Sequence, residues 1–342
     1  MIRRASPDMS FVNVPEARRV RRSVLSAFAA LGALAAWPAC GQDAFPSRPL
    51  RLVVPAPPGG LTDTVGRLFA EAMQADLGQT CVVDNRPGAA GLIGTQAVVE
   101  APADGYTVLV TSTSSHILAP LTQSSARVDP PRDLQPVGLA LRTVGVLVIS
   151  TRVQASSLAQ FITLARSQPG QFNYASSGIG SANHVLTERF KALAAIDMVH
   201  VPYRGGGPLM TALMAGEVQF ALLDFGTAEA ALRLGKARAL AQSGEHRHPA
   251  LPNVPTLAEA GFKDYDPSFW IGLAVPRSTP TTVVDRLNAS LNKALTQTAI
   301  KARAQTLGWT LVGGSPRVLA EVVARDAAAY RDTVSGLKLD RQ

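Results

Sequence analysis

LRLVVPAPPGGLTDTVGRLFAEAMQADL, residues 50–77, sets a short β-type run, a loop stiffened by three prolines and a helical stretch in that order. The same alternation continues along the chain. Strands are expected at 50–54, 80–83, 107–110, 144–149, 172–175, 198–201, 218–223, 237–241, 270–275 and 310–312. Helices are expected between them, at 62–77, 92–100, 157–167, 181–194, 208–215, 227–234, 282–296 and 316–334. Short strands alternating with longer helices read as an α/β fold with largely parallel sheets. Ser315-Pro316 and Thr279-Pro280 supply helix starts, and the proline-rich stretch 129–136 and the segment 246–255 read as loops.

The 342 residues are 46% hydrophobic and 17% charged, which suits a globular chain with room for two domains. The net charge of +8 raises the question of a nucleic-acid partner. Six arginines against Asp8 and Glu16 place +4 of it before residue 43, and the rest is spread without a basic run or interleaved aromatics. No nucleic acid is implied; an anionic small ligand stays open. Arg18, Arg19, Arg21 and Arg22 precede an uncharged Ala/Leu/Val/Phe stretch, 24–36, that stops at Trp37 and Pro38. That order is a secretory leader over residues 1–42, and the stretch is short of the ~20 residues that span a bilayer. A periplasmic location follows. Arg21-Arg22 resembles a twin-arginine signal and Trp37-Pro38-Ala39-Cys40 a lipoprotein cleavage site without its usual leucine.

Cys40 and Cys81 are the only cysteines, so zinc and CxxC spacings are excluded. Cys40 is lipidated, paired with Cys81 or removed; Cys81 in CVVD reads as a small buried hydrophobe.

In PAPPGGLTDTVGR, residues 55–67, Gly59 and Gly60 let backbone amides face inward before Thr62 or Asp63 opens a helix. Unpaired N–H groups and the helix dipole make such a turn an anion site, while Asp63 itself would repel an anion and is read as a cap. Pro57 and Leu61 share that loop. ASSGIGSANH, residues 175–184, repeats the arrangement after another strand, with Ser176, Ser177, Gly178, Ser181, Asn183 and His184 as candidates. Ligands of open α/β sheets bind at such strand ends. Thr111, Ser112 and Thr113, with Ser114 and Ser115 up to His116, add hydroxyls after the strand 107–110. Tyr203 and Arg204 in HVPYRGGGP, residues 200–208, offer a ring and a cation for a carboxylate, or equally a solvated turn. Asp224, at a strand end, accepts a hydrogen bond from a polar ligand tail or caps the next helix. DNRPGAAGLIG, residues 84–94, has GxxGxxG rather than GxGxxG spacing and reads as a structural turn with close helix packing.

Enzymatic motifs are missing: there is no GxSxG, HExxH or GK[ST]. Ser181 and His184 are spaced for a nucleophile and base, which leaves a hydrolase or transferase as an alternative; the same spacing fits a cap and a packed histidine. His246 and His248 make at most a weak metal site, and no cofactor is implied.

FPSRPLRLVVPAPPGGLTD, VVDNRPGAAGLIG, ADGYTVLV, SSGIGSANH, MVHVPYRGGGP, LPNVPTLAEAGF and WIGLAVPRSTP occur in this order over nearly the whole chain beyond the leader. The sequence thereby resembles the Bug family, the TctC-like receptors of tripartite tricarboxylate transporters. The resemblance implies a type II periplasmic-binding-protein fold: two α/β lobes joined by crossing hinge strands, with the ligand cleft between them, and no catalysis. It implies that Gly59, Gly60 and Thr62 grip a ligand carboxylate opposite Ser176, Ser177, Gly178, Ser181 and His184. Pro58, Leu61, Cys81 and Asn183 depart from the usual pattern, and Leu61 and Asn183 bear on ligand choice. One lobe is expected from 45–146 plus 271–342 and the other from 147–270, in a chain read as a monomer. A small organic carboxylate and the membrane subunits of the transporter are the implied partners. A receptor serving a signalling system is the further alternative.

Overall fold

The computed structural model of the chain describes residues 45–123 and 126–337, so the leader and Cys40 lie outside the described residues. Strand β1 (Leu50–Val54) feeds helix α1 (Leu61–Leu77) across the proline loop. Val65, Phe69, Met73 and Leu77 recur every fourth residue of α1 and are all buried, so one stripe of the helix lies on the sheet. Gly78, at a left-handed φ of 67°, ends α1 by donating its amide to the Gln74 carbonyl.

The first sheet has six strands in the order β11 (Trp309–Leu311), β4 (Leu134–Thr143), β10 (Phe269–Pro276), β3 (Thr107–Ser112), β1 and β2 (Cys81–Asn85). The second has five, in the order β7 (Val199–Pro202), β6 (Asn173–Ser176), β8 (Phe220–Asp224), β5 (Gly145–Ser150) and β9 (Ala237–Gln242). Helices α1, α2 (Leu92–Val99), α7 (Thr281–Thr296), α8 (Thr298–Leu307) and α9 (Pro316–Gly336) accompany the first sheet in sequence. Helices α3 (Leu158–Ser167), α4 (Ala182–Ala194), α5 (Gly206–Ala215) and α6 (Phe225–Arg233) accompany the second. The result is two α/β lobes.

Both sheets are mixed rather than largely parallel. β1 runs parallel to β2 and β3, and β6 parallel to β7 and β8, but β10 and β5 are antiparallel to both of their neighbours. Parallel neighbours need a helical crossover, whereas β10 and β5 carry the chain between the sheets. Val144 alone separates β4 from β5, and the return runs from β9 to β10.

Strand β4 corrects the reading of 129–136 as a loop. Pro130–Asp133 is a single helical turn and β4 starts at Leu134. Pro136 pairs with Ala274 beside a register shift, in the part of β4 that β11 does not reach, since β11 pairs only with Leu141, Arg142 and Thr143. A missing N–H is tolerated on such an open side. Helix α8 was also not anticipated.

The first core gathers Leu52, Phe69, Leu141, Leu287 and Leu291, and the second Phe161, Tyr174, Phe190 and Phe220. Phe220 is stacked between Phe161 at 5.3 Å and Phe190 at 5.6 Å. Burying each such ring is worth about 1.5–3 kcal/mol. Helix α9 joins the second cluster through Leu319, Val322, Tyr330 and Val334, and Arg189 of α4 donates to Thr333 Oγ1 at 2.9 Å. Cys81 is a buried free thiol whose pKa burial pushes up to about 11. No helix among the described residues is long and apolar enough to cross a membrane.

Candidate functional site

A cleft of about 770 Å³ opens where the loops leaving β1, β2, β3, β6, β7 and β8 meet. Pro57, Gly60, Leu61 and Thr62 line it from the first lobe, with Ser112 and Thr113 behind them. Ser177, Gly178, Ser181 and Asn183 line it from the second, beside Tyr203, Arg204 and Asp224. Gly59, Thr111, Ser176 and His184 do not line it, and each has a local reason.

In the first loop Pro55, Pro57 and Pro58 carry no N–H, and the Gly59 amide donates to Asp63 Oδ2 at 2.9 Å. Gly60 is the N-cap of α1, extended at φ −91° and without a side-chain cap, so the first-turn amides at Leu61 and Thr62 have no intrahelical acceptor. Asp63 is buried, which would raise its pKa, but bonds from Arg67, Gly59 and Asn85 outweigh that and hold it below the usual carboxylate range. Its charge is matched by Arg67 at 3.0 Å and it does not line the cleft.

The second loop is tied by its own side chains. Ser176 Oγ lies 2.6 Å from His200 Nε2 and accepts from the Gly178 amide at 3.1 Å. Ser181 Oγ donates to the Gly178 carbonyl at 2.6 Å rather than capping α4. Ser177 Oγ donates to Asn183 Oδ1 at 2.6 Å, and Asn183 Nδ2 donates to the Leu222 carbonyl at 2.8 Å, which pins the loop to β8. His184 Nδ1 accepts from the Gly180 amide at 3.1 Å, and its ring stacks on His200 with centroids 4.0 Å apart. Several main-chain donors expected to face a ligand are therefore engaged inside the protein: Gly59, Gly178 and Gly180, and Ala182, which donates to Ser114 Oγ at 2.9 Å. The first-turn amides of α1, the Asn183 amide of α4 and the start of α5, whose N-cap Gly205 also has no side-chain cap, remain as the donors at the cleft. Ser181 Oγ and His184 Nδ1 each bond to loop backbone.

Thr111 Oγ1 is buried against His116 Nδ1 at 2.9 Å, and burial lowers the His116 pKa to about 4. Ser112 closes a capping box with Ser115. Second-lobe Gly205 meets first-lobe Pro57 across the mouth: a Cβ there would lie 3.3 Å from Pro57 Cγ. The lobes thus approach each other at the mouth of the cleft.

Two contributors went unread in the sequence: Phe269, Trp270 and Ile271 of β10 form an apolar wall, and Gly88 to Gly91 border the cleft as well as packing tightly, while Ser114 and Ser115 of the hydroxyl run line it too. Ala89 and Ala90 sit at φ 47° and 52°, with the Gly91 amide returning to the Gly88 carbonyl at 2.9 Å. Left-handed alanines inside a tight turn are strained, and such strain gathers at functional sites. Among the described residues no three His, Cys, Asp or Glu side chains form a metal-binding group.

Two α/β lobes with a cleft between strand ends, walled by helix starts, define a solute-binding receptor of the periplasmic-binding-protein type. Residues 65–333 match the tripartite tricarboxylate transporter family receptor profile, TctC, and the chain belongs to that family. Protein BugT of Bordetella pertussis is 33% identical over 321 residues, 92% of this chain and 98% of BugT. A Rhodopseudomonas palustris protein solved with adipate superposes with a TM-score of 0.82 at 32% identity, covering 85% of this chain and 97% of that one. MatC of the same organism, with bound malate, gives 0.81 at 32% identity, covering 85% and 100%.

Proposed function

We propose that this chain is an exported receptor that closes on a small organic carboxylate and presents it to the membrane subunits of a tripartite tricarboxylate transporter. The convergence of three helix starts without side-chain caps, those of α1, α4 and α5, on one cleft carries the reading. α1 and α5 offer first-turn N–H groups without an intrahelical acceptor, α4 adds that of Asn183 beside the engaged Ala182, and the positive ends of the three helix dipoles together favour an anion over a neutral solute. Arg204, exposed at the edge of the second lobe, adds a full positive charge. Leu61 and Thr62 of one lobe and Asn183 of the other can meet the same guest, so the ligand favours the conformation in which both lobes reach it. Relatives solved with adipate and malate support a carboxylate. The basic, then apolar, start of the sequence supports export to the periplasm, with the leader at residues 1–42.

A thermal-shift screen of mono-, di- and tricarboxylates tests this, since a ligand bound only by the folded chain raises its melting temperature by mass action. At least one acid should stabilise the protein in proportion to its concentration, with no turnover. Stabilisation by none of them, or conversion of a bound acid to product, would sink the receptor reading.

A further inference from the structure

Of the second-lobe helix starts that border the cleft, those of α4, α5 and α6, only the last carries a side-chain cap. Asp224 caps α6 with both carboxylate oxygens: Oδ1 accepts from the Thr227 amide at 2.9 Å and Oδ2 from the Thr227 hydroxyl at 2.6 Å. The residue is 6% exposed yet borders the cleft, as does Thr227. Among the described residues no lysine or arginine forms a salt bridge with it. Burial pushes its pKa up, against the bonds from Thr227.

Topology fixes where this carboxyl group stands. β7, β6 and β8 are adjacent and parallel, so their C-terminal ends set Arg204, the loop 177–181 and Asp224 in a row. Arg204 and Asp224 are two strand spacings apart, roughly 10 Å. Asp224 also pairs in register with Gly145, the first residue after the crossing at Val144, which puts it at the deep end of the cleft. An anionic group brought to that end would meet a buried carboxyl and a helix start already filled. A hydrogen-bond donor would instead meet carboxyl oxygens, which accept.

We infer that Asp224 makes the cleft select organic acids that carry a hydrogen-bond donor, ammonium or hydroxyl, at the end remote from the carboxylate, over dicarboxylates of equal length. The ligand carboxylate takes the starts of α1, α4 and α5 with Arg204, the chain between lies along Phe269, Trp270 and Leu61, and the donor reaches Asp224. This rests on the carboxylate-receptor reading.

Calorimetric titration of the full chain with length-matched acids tests it. One set is 4-aminobutanoate, 4-hydroxybutanoate and succinate; the other is 6-aminohexanoate, 6-hydroxyhexanoate and adipate. In the better-binding set the amino or hydroxy acid should bind about tenfold or more tightly than the dicarboxylate, the scale of one charge-assisted bond. Asp224→Asn and Asp224→Ser keep a capping side chain for α6 and should bring that ratio close to one. A dicarboxylate that binds as well as its matched partner, or a ratio the two variants leave unchanged, overturns the inference while leaving the receptor reading standing. Binding of no carboxylate of either kind overturns both.

Discussion

Pro55, Pro57 and Pro58 hold the first-lobe loop through the backbone itself, with Gly94 and Gly91 packed beneath it, whereas the loop 176–181 is held by side-chain hydrogen bonds among serines, Asn183 and two stacked histidines. Covalent restriction and close packing do not titrate, and Asp63, whose carboxylate holds the Gly59 amide, stays charged from pH 5 to 8, whereas hydrogen bonds to imidazole do titrate. The two faces of the cleft should therefore fail in different ways, one to added volume and the other to added protons.

The largest effect is expected from Gly94→Ala. The new methyl group would meet the Arg86 carbonyl oxygen, Pro55 Cα and Pro55 Cβ, all at 2.8 Å, and backbone atoms cannot turn aside. Denaturant unfolding should show a loss of about 1–3 kcal/mol that is the same at pH 5 and pH 8. A wild-type midpoint would mean that the first loop is not held by packing.

The second loop gives a pH signature. Burial, then the charges of His184 and Lys191, lower the His200 pKa to about 3, against 6.5 for an unperturbed imidazole. The unfolded chain then binds more protons, so stability is full above pH 6.5 and falls as the pH drops toward the folded value. Between pH 6.5 and 5 the loss should be about 1–2 kcal/mol from this residue, with a parallel contribution from His116. His200→Gln, which can still reach Ser176, should flatten the His200 part of the slope in equilibrium unfolding; a slope identical to wild type would remove His200 from the account.

Ser181→Ala is the smallest change. Its hydroxyl proton goes to the Gly178 carbonyl, so the variant should lose about 0.5–1.5 kcal/mol of stability and little more than that in ligand binding. A Kd raised more than about tenfold at unchanged stability would show that the hydroxyl turns to the ligand instead, and would erase the contrast between the loops.

Much of this contrast was legible beforehand. The proline loop, the glycine turn and the helix after it follow from residue type alone, and so does the placing of both loops at strand ends. Side-chain direction was not legible: Ser176 became the last residue of β6 and turned to His200, which no spacing in SSGIGSANH announces. Strand β4 was hidden because Pro136 reads as a breaker wherever the ladder on that side is unknown. GxxGxxG was read as packing, and Gly91 and Gly94 do pack, but the strained Ala89–Ala90 turn between those glycines depends on backbone angles that alanine does not advertise. Asp224 was seen as either a ligand contact or a cap; the structure makes it a cap that borders the cleft.

Val144, the single residue between β4 and β5, leaves almost no slack where the chain changes sheets. A tether that short lets one half of the molecule turn about the other but forbids it to slide. Lengthening it by inserted residues would loosen the alignment of the two cleft faces, even with every contacting side chain left intact.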